Sequence, residues 1–425
     1  VSTRNETPDV FSAGRLGPLT LRNRTIKAAT YEGLSHRGRV TQDLVDFHVA
    51  YAKGGVGMTT VAYLAVAKDG RTDRHQVLWT DEAMPGLRAL TDAVHAEGAA
   101  VSAQIGHGGP VAEARGNRSP ALAPSARTNV IAMNRSQAAT RADIERIVAA
   151  HGHAASRAVE AGFDAVEVHL GHNYFASAFL SPKLNRRDDE FGGSLRNRAK
   201  VARGILQAVR DAVGDRIAIV AKMNMDDGAP GGFWLDEAIP VAQWLEADGT
   251  LDALEMTAGS SLLNPMYLFK GDVPLDEFAG VMPQPIKAGV KAVGHRLLKA
   301  YPYTDGFLLE DAKQVRAAVD LPMVLLGGVS SREVMDTAMA EGFGFVAMAR
   351  ALLREPDLVN RMQADETRRS LCIHCNKCMP TNYTGTRCVL VDRRTTRSAS
   401  WGKPEGYAAT TPGPSGEWDA SHHGS

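Results

Sequence analysis

Residues 322–353 read PMVLLGGVSSREVMDTAMAEGFGFVAMARALL. Met323–Leu326 is a short apolar run with no polar alternation, the pattern of a strand buried on both faces. Gly327 and Gly328 interrupt it, and Ser330 with Glu333 has capping-box spacing, so the chain is expected to turn there into a helix over Arg332–Glu341. A second apolar strand, Phe345–Met348, follows. Two such strands joined through a helix must run parallel, because a parallel pair needs a crossover.

Outward from this unit the same alternation fills the chain from Arg24 to Gln363. The strand candidates are Thr25–Ala29, Gly57–Ala65, Ala100–Ile105, Ala165–His169, Ile217–Met223, Ala253–Thr257, Met323–Leu326 and Phe345–Met348. The helices between and after them are expected at Gln42–Lys53, Pro85–Glu97, Arg141–Ala161, Leu195–Val213, Asp236–Ala247, Glu310–Ala318, Arg332–Glu341 and Pro356–Met362. Along the helix that begins at Arg141, Ile144, Ile147, Val148, His151, Ala154 and Ala155 recur at three- and four-residue steps, which makes one stripe for the sheet. Eight strand–helix pairs with no leftover core predict an α/β fold, a single closed (β/α)8 TIM barrel. Two polar excursions, Gly106–Thr140 after the third strand and Gly259–Leu309 after the sixth, leave the strand ends where barrel enzymes keep their sites; they are lid or substrate-loop candidates. The expected organisation is a barrel over 1–368, a cysteine-rich segment over 369–391 and a polar tail over 392–425.

Lys plus Arg and Asp plus Glu both number 48, so no long-range field points to nucleic acid or an anionic membrane. The N-terminus lacks a secretory pattern and no apolar run approaches the roughly 18 residues of a membrane span, which predicts a cytoplasmic protein. The expected partners are a small-molecule substrate, further copies of the chain, and a redox protein if an iron–sulfur cluster is present.

Three stretches carry chemistry-bearing residues. VEVHLGHNY places His169, His172 and Tyr174 at the end of the fourth strand, two imidazoles to hydrogen-bond an oxygen and a phenol to release a proton. The loops after the last two strands offer Gly327, Gly328 and the guanidinium of Arg350, together with a helix start, as a phosphate cradle. Finally, all four cysteines (Cys372, Cys375, Cys378 and Cys388) fall in LCIHCNKCMPTNYTGTRCVL. A disulfide framework would spread them along the chain, whereas this spacing suits an iron–sulfur cluster, tetrahedral zinc or free thiols.

The segment LSPKLNRRDDEFGGSLRNRAK resembles a motif of the old yellow enzyme family, matched here by Ser181, Pro182, Asn185, Arg187, Asp189, Phe191, Gly192, Gly193, Ser194, Asn197 and Arg198. Read by themselves, these residues brace a long loop and permit its turn into the next helix. The resemblance runs from LRNRTIKAAT to FVAMARALLREPDLV and implies an FMN-dependent oxidoreductase using NADH or NADPH. It makes His169 and His172 the holders of the substrate's activating group and Tyr174 the proton donor. It places Gln104 at the flavin's pyrimidine ring and Lys222 where an arginine is usual, a departure expected to shift the redox potential. It adds Ala349 to Arg350 at the phosphate, backbone contacts at Ala28, Ala29, Thr30 and Ala62, and a tuning side chain at Thr30 or Tyr31. The cysteine spacing resembles the trimethylamine dehydrogenase and 2,4-dienoyl-CoA reductase branch, which implies a [4Fe–4S] cluster, with zinc as the alternative metal.

The expected reaction is hydride transfer from reduced flavin to an activated alkene. The alternative is oxidation of an amine or C–H bond, with electrons leaving through the cluster. A non-redox aldolase or isomerase barrel lacks an evident Schiff-base lysine or carboxylate pair, and a binding protein with structural zinc ranks last.

Overall fold

The computed structural model describes residues 7–129, 134–282 and 286–391; the expected polar tail, 392–425, lies outside them. Eight parallel strands close into a barrel: β1 (Thr25–Lys27), β2 (Met58–Ala65), β3 (Ala100–Gly106), β4 (Ala165–Leu170), β5 (Ala218–Asn224), β6 (Ala253–Thr257), β7 (Met323–Leu325) and β8 (Phe345–Met348). β8 returns to β1 through Val346 opposite Thr25, Ala347 opposite Ile26 and Met348 opposite Lys27. The surrounding helices are α1 (Gln42–Lys53), α2 (Met84–His95), α3 (Arg141–Glu160), α4 (Lys200–Val213), α5 (Leu235–Asp248), α6 (Leu309–Arg316), α7 (Arg332–Ala340) and α8 (Leu358–Ala364). The expected barrel is the observed one. Among the described residues, no helix is long and apolar enough to cross a membrane.

Strand alternation sorts side chains into two cores. Val101, Ala103 and Ile105 of β3 and Val166, Val168 and Leu170 of β4 pack into the layer shared with the helices. Met58, Ala165, Ala218, Ala253 and Phe345 cluster instead with Leu16 and Leu21. Those two leucines belong to an antiparallel hairpin, Gly14–Leu16 with Leu19–Leu21, that plugs the N-terminal end of the barrel. A Cβ on Gly14 would come within 2.8 Å of the Phe345 ring, so the plug needs glycine there. The hairpin was not anticipated: two three-residue strands are too short to show a period.

Three local expectations shift. Ser331, not Ser330, caps α7 by accepting from the Val334 N–H (3.4 Å), because the Ser330 hydroxyl is engaged by Asp305 (2.7 Å). The helix expected over Leu195–Val213 is interrupted at Ala199, beside Arg198, whose guanidinium turns in to the Leu180 and Gly193 carbonyls and to Glu237. The excursions also carry structure of their own. Leu122–Ala123, Arg127–Asn129 and Asn134–Ala138 form a small sheet after β3, and helices Leu275–Gly280 and Ile286–Leu297 lie within the excursion after β6.

Arg187 fastens the first excursion to the barrel. Its Nη1 donates to the carbonyls of Pro124 (2.9 Å) and Ala139 (2.7 Å), its Nε donates to Asp189 (2.9 Å), and its guanidinium lies 5.9 Å from the rings of both Phe179 and Phe191. Asn185 holds the loop beneath it, donating to the Phe179 and Phe191 carbonyls. Lysine cannot reproduce this fork. Arg187→Lys should therefore lose about 1–2 kcal/mol in urea unfolding and speed amide exchange across residues 122–123 and 134–138. Unchanged exchange there would show that the clamp is not what holds the excursion.

Candidate active site

The C-terminal mouth of the barrel brings His169, His172 and Tyr174 together. His169 is the penultimate residue of β4, in register with Lys222 of β5. The Gly171 N–H points at its Nδ1 (3.3 Å), so Nδ1 is the acceptor and the proton sits on Nε2. The His169 ring centroid lies 5.1 Å from that of His172 and 4.5 Å from that of Tyr174. Tyr63 of β2, which sequence reading passed over, joins them at 5.4 Å from Tyr174 and 6.4 Å from His169. Its hydroxyl donates to the Gly70 carbonyl (2.8 Å), so Tyr63 is a wall of the site with its phenol already engaged.

His172 and Asn173 are consecutive left-handed residues, both at φ 59°, a conformation that side chains other than glycine reach only when something holds it. Asn224, at the end of β5, supplies the hold. Its Oδ1 accepts from the His172 N–H (3.0 Å), and its Nδ2 donates to the Gly259 carbonyl (2.8 Å) and to Asp227 (3.1 Å). Asp227 also accepts from Asn173 Nδ2 (2.9 Å) and the Phe233 N–H (2.9 Å). Burial raises the Asp227 pKa from its ordinary value, and these donors oppose the shift. The ring of His172 meets the Thr257 hydroxyl of β6 at 3.0 Å.

Below the mouth the lumen turns charged. Lys222 Nζ lies 2.8 Å from Glu167 of β4 and 2.9 Å from Glu255 of β6, all three fully enclosed. Gln104 donates to Glu167 (2.5 Å). Burial alone would lower the Lys222 pKa, but the two carboxylates outweigh it and hold the ammonium above its ordinary value. Burial, with His172 and Lys222 adding to it, keeps His169 far below the usual imidazole range, and burial with Lys222 puts His172 at about 3. Both imidazoles are neutral at physiological pH. The signal for the two acids was present in the sequence, as single glutamates inside the apolar runs AVEVHL and ALEMT, where a buried charge requires a partner.

At the phosphate end, Gly327 (φ 94°) and Gly328 (φ 83°) are required by packing as well as by any ligand, since a Cβ on Gly328 would meet Gly306 N at 2.5 Å. Arg350 opens the short helix Arg350–Arg354. Its Nη1 donates to the Lys270 carbonyl (2.9 Å) and to Asn376. Part of the guanidinium assigned to phosphate thus ties the excursion after β6 to the cysteine segment. Ala349 precedes it with non-helical angles.

The backbone positions are partly committed. The Ala28 N–H donates to the Met348 carbonyl (2.9 Å) and the Ala62 N–H to Glu32 (3.1 Å), while Ala29 packs near Tyr174 in a small cluster with Ala62 and Tyr63. Thr30 Oγ1 accepts from Lys27 (2.8 Å), and the Tyr31 carbonyl accepts from Thr386 (2.6 Å).

That last contact belongs to the cysteine segment, which crosses the mouth. The Thr386 N–H donates to the Glu32 carbonyl (2.7 Å), the Asp272 N–H to the His374 carbonyl (3.2 Å), and the His374 ring stacks on Tyr303 at 3.3 Å. Cys372, Cys375, Cys378 and Cys388 are half-buried free thiols, near enough for Cys378 to feel the charges of Cys372, Cys375 and Cys388, and Cys372 those of Cys375 and Cys388. Yet among the described residues no three histidine, cysteine or acidic side chains are arranged to hold a metal ion.

Residues 9–256 match the NADH:flavin oxidoreductase / NADH oxidase family. The 4,4'-dithiodibutanoate disulfide reductase of Rhodococcus erythropolis is 53% identical over 397 residues, covering 93% of this chain and 98% of that one. A metal reductase of Desulforamulus reducens is 31% identical over 370 residues, 87% of this chain but 51% of its own length, so the chain spans about half of that relative. Among solved structures, an old yellow enzyme homologue from Zymomonas mobilis superposes with a TM-score of 0.68 at 20% identity, covering 90% of this chain and 100% of that one. A 2-naphthoyl-CoA reductase gives 0.77 at 24%, covering 93% and 58%. At these identities the structural likeness speaks for the fold alone. The chain belongs to the NADH:flavin oxidoreductase / NADH oxidase family and is an oxidoreductase.

The family's cofactors are FMN and NAD(P)H, and the mouth has a donor set that fits a flavin. An amide (Gln104) and an ammonium (Lys222) both reach Glu167 in the lumen, and a guanidinium (Arg350) lies over the ring of Tyr303, whose hydroxyl donates to the Gly328 carbonyl (3.3 Å).

Burial pushes five histidines below their ordinary pKa: His48 and His169, with His151 and His374 at about 4 and His172 at about 3. In the unfolded chain they protonate near the ordinary imidazole value of about 6.5. Below that pH the unfolded state binds more protons than the folded one, so stability falls on acidification by about 1.4 kcal/mol per pH unit for each such histidine, less for solvent-screened His374, until its folded pKa is reached. The thermal midpoint should therefore drop between pH 7 and pH 5. A midpoint that holds or rises over this window would mean that these imidazoles titrate normally in the folded protein.

Proposed function

We propose that this chain reduces a small activated acceptor at the expense of NAD(P)H, with the histidine–tyrosine cluster as the acceptor site. The observation that carries this reading is the grouping of two neutral imidazoles and a phenol beside Lys222, with the proton of His169 on Nε2. When bound, FMN supplies the hydride that it takes from NAD(P)H.

The residues of the chain do the rest. His169 Nε2–H, with His172 beside it, donates to the activating oxygen of the acceptor and draws negative charge towards it. Neutral imidazoles suit this role, because they polarise the oxygen while keeping their own protons. Tyr174 delivers a proton to the carbon α to that group, as reduction of an activated alkene requires. Gln104 and Lys222 hold the electron-accepting edge of the flavin, and Gly327, Gly328, Ala349 and Arg350 its phosphate. Ala28, Ala29, Thr30 and Ala62 line the inner wall.

A second acceptor class is favoured by the relative that is 53% identical over nearly its whole length, whose name gives a small organic disulfide as its substrate. Reduction of a disulfide releases two thiols of pKa about 8.5, whose thiolates leave without help from a strong acid. Protonation at carbon needs a positioned donor. The two acceptors therefore make opposite demands on Tyr174.

Tyr174→Phe keeps the ring and removes the proton. With a cyclic enone, reoxidation of the reduced enzyme in stopped flow should slow by roughly 10²–10⁴-fold; with a dithiodialkanoate it should change by less than about tenfold. Reduction by NAD(P)H should be unaffected in both cases. If the enone rate survives the substitution, Tyr174 is not the donor, and if the wild type reduces the dithiodialkanoate but no enone, the disulfide is the acceptor.

We further propose that Cys372, Cys375, Cys378 and Cys388 bind a [4Fe–4S] cluster, a reading supported by their spacing and not by the present arrangement of the thiols. Protein purified without oxygen should contain iron and acid-labile sulfide, both lost in Cys375→Ser. Zinc without sulfide would point to a tetrahedral site, and neither metal would leave four thiols. The redox partner protein is proposed only together with the cluster.

A further inference from the structure

We infer that Glu255 is a proton-holding residue of this site: at neutral pH it carries a proton beside Glu167 and the Lys222 ammonium, and at higher pH, where it is ionised, it takes one up when a bound flavin becomes negatively charged. The argument starts from a charge count in a closed space. Glu167, Lys222 and Glu255 point into the lumen from three successive strands, each almost wholly buried. One ammonium lies within 2.9 Å of both carboxyls. Fully ionised, the group would bury a net negative charge, and two carboxylates sharing a site do not both ionise readily.

The hydrogen bonds say which acid keeps the proton. Glu167 accepts from Gln104. Glu255 Oε1 touches Nζ but has no hydrogen bond of acceptable geometry, so it is the less supported carboxylate. Burial and then the charge of Glu167 raise the Glu255 pKa to about 8, with Lys222 opposing them. The groups around it are few. β4 contributes Glu167 and neutral His169, and β5 contributes Lys222. From β1, the charge of Lys27 reaches Lys222 and Glu167 but is paired locally with Glu32. β6 itself adds uncharged Thr257, and β7 presents only Met323, Val324 and Leu325.

The flavin half of this inference rests on the proposed FMN site; the proton on Glu255 does not. A flavin bound there would take up one proton of its own when NAD(P)H supplies it with two electrons. Wherever Glu255 is ionised beforehand, a second proton moves from solvent to its carboxylate, which compensates the new negative charge.

Two measurements separate the parts. Infrared spectra of the protein at pH 7 should show a carboxylic-acid carbonyl band that moves when glutamate is labelled with 13C, disappears as pH rises through about 8 and is absent in Glu255→Gln. The labelling excludes Asp226 and Asp227 and needs no variant, so an absent glutamic-acid band overturns the inference even if Glu255→Gln does not fold, while loss of the band in Glu255→Gln assigns it to this residue. In flavin-loaded protein, the midpoint potential should fall with pH about twice as steeply above pH 8 as below it, and in Glu255→Gln the slope should stay at the lower value throughout. Absence of a glutamic-acid band overturns the inference. A band with identical slopes in both proteins overturns the coupling to the flavin, and failure of the protein to bind flavin overturns the proposed function while the infrared result stands.

Discussion

Lys222 lies between Glu167 and Glu255 inside a closed barrel, and the mouth above is organised around that contact. A lone ammonium could not be buried there, nor could either acid, because the cost of removing an ion from water is several kcal/mol even after relaxation. Closure of the sheet makes the arrangement possible. It places the inward positions of β4, β5 and β6 side by side, so that charges distant in the chain become neighbours. The same cation bears on the imidazoles of the mouth, where it adds to burial in keeping His169 and His172 unprotonated.

The side chains of the candidate site are held by loops that would not adopt their conformations unaided. His172 and Asn173 sit in the left-handed region, a strain of order 1–3 kcal/mol each in unfavourable cases, and Asp227 and Asn224 hold them there through hydrogen bonds to both residues. A similar division of labour appears at the other side of the mouth. Arg350 gives one edge of its guanidinium to the Lys270 carbonyl and Asn376, so a residue read as a ligand-binding cation is also a tie between the excursion after β6 and the cysteine segment. Rigidity of this kind is what a site needs if a donor is to remain within hydrogen-bond reach of its acceptor.

The cysteine segment is part of this face. It runs over the loop after β1, where a Cβ on Gly33 would lie 2.0 Å from the Asn382 carbonyl, and over the excursion after β6, where a Cβ on Gly271 would lie 2.2 Å from the His374 carbonyl. Both glycines have positive φ. The segment therefore belongs to the walls of the barrel mouth, and whatever it binds would lie beside Arg350.

Local pattern was enough to identify the eight strands, the helices between them and the residues at the end of β4, because apolar runs, glycine breaks and three- and four-residue periods are properties of neighbours in the chain. The motif from Ser181 to Arg198 could be read for the same reason, its spacing being a local quantity. The N-terminal plug was not legible, since Leu16 and Leu21 gain their meaning only from Phe345 and the strand starts they meet. Nor were the acids beneath the site. A glutamate in AVEVHL or ALEMT announces that something must neutralise it, but which partner, on which strand and at what height depends on the register of three parallel strands. That register is set by closure of the whole sheet, and it alone brings Glu167, Lys222 and Glu255 within 3 Å of sharing one charge.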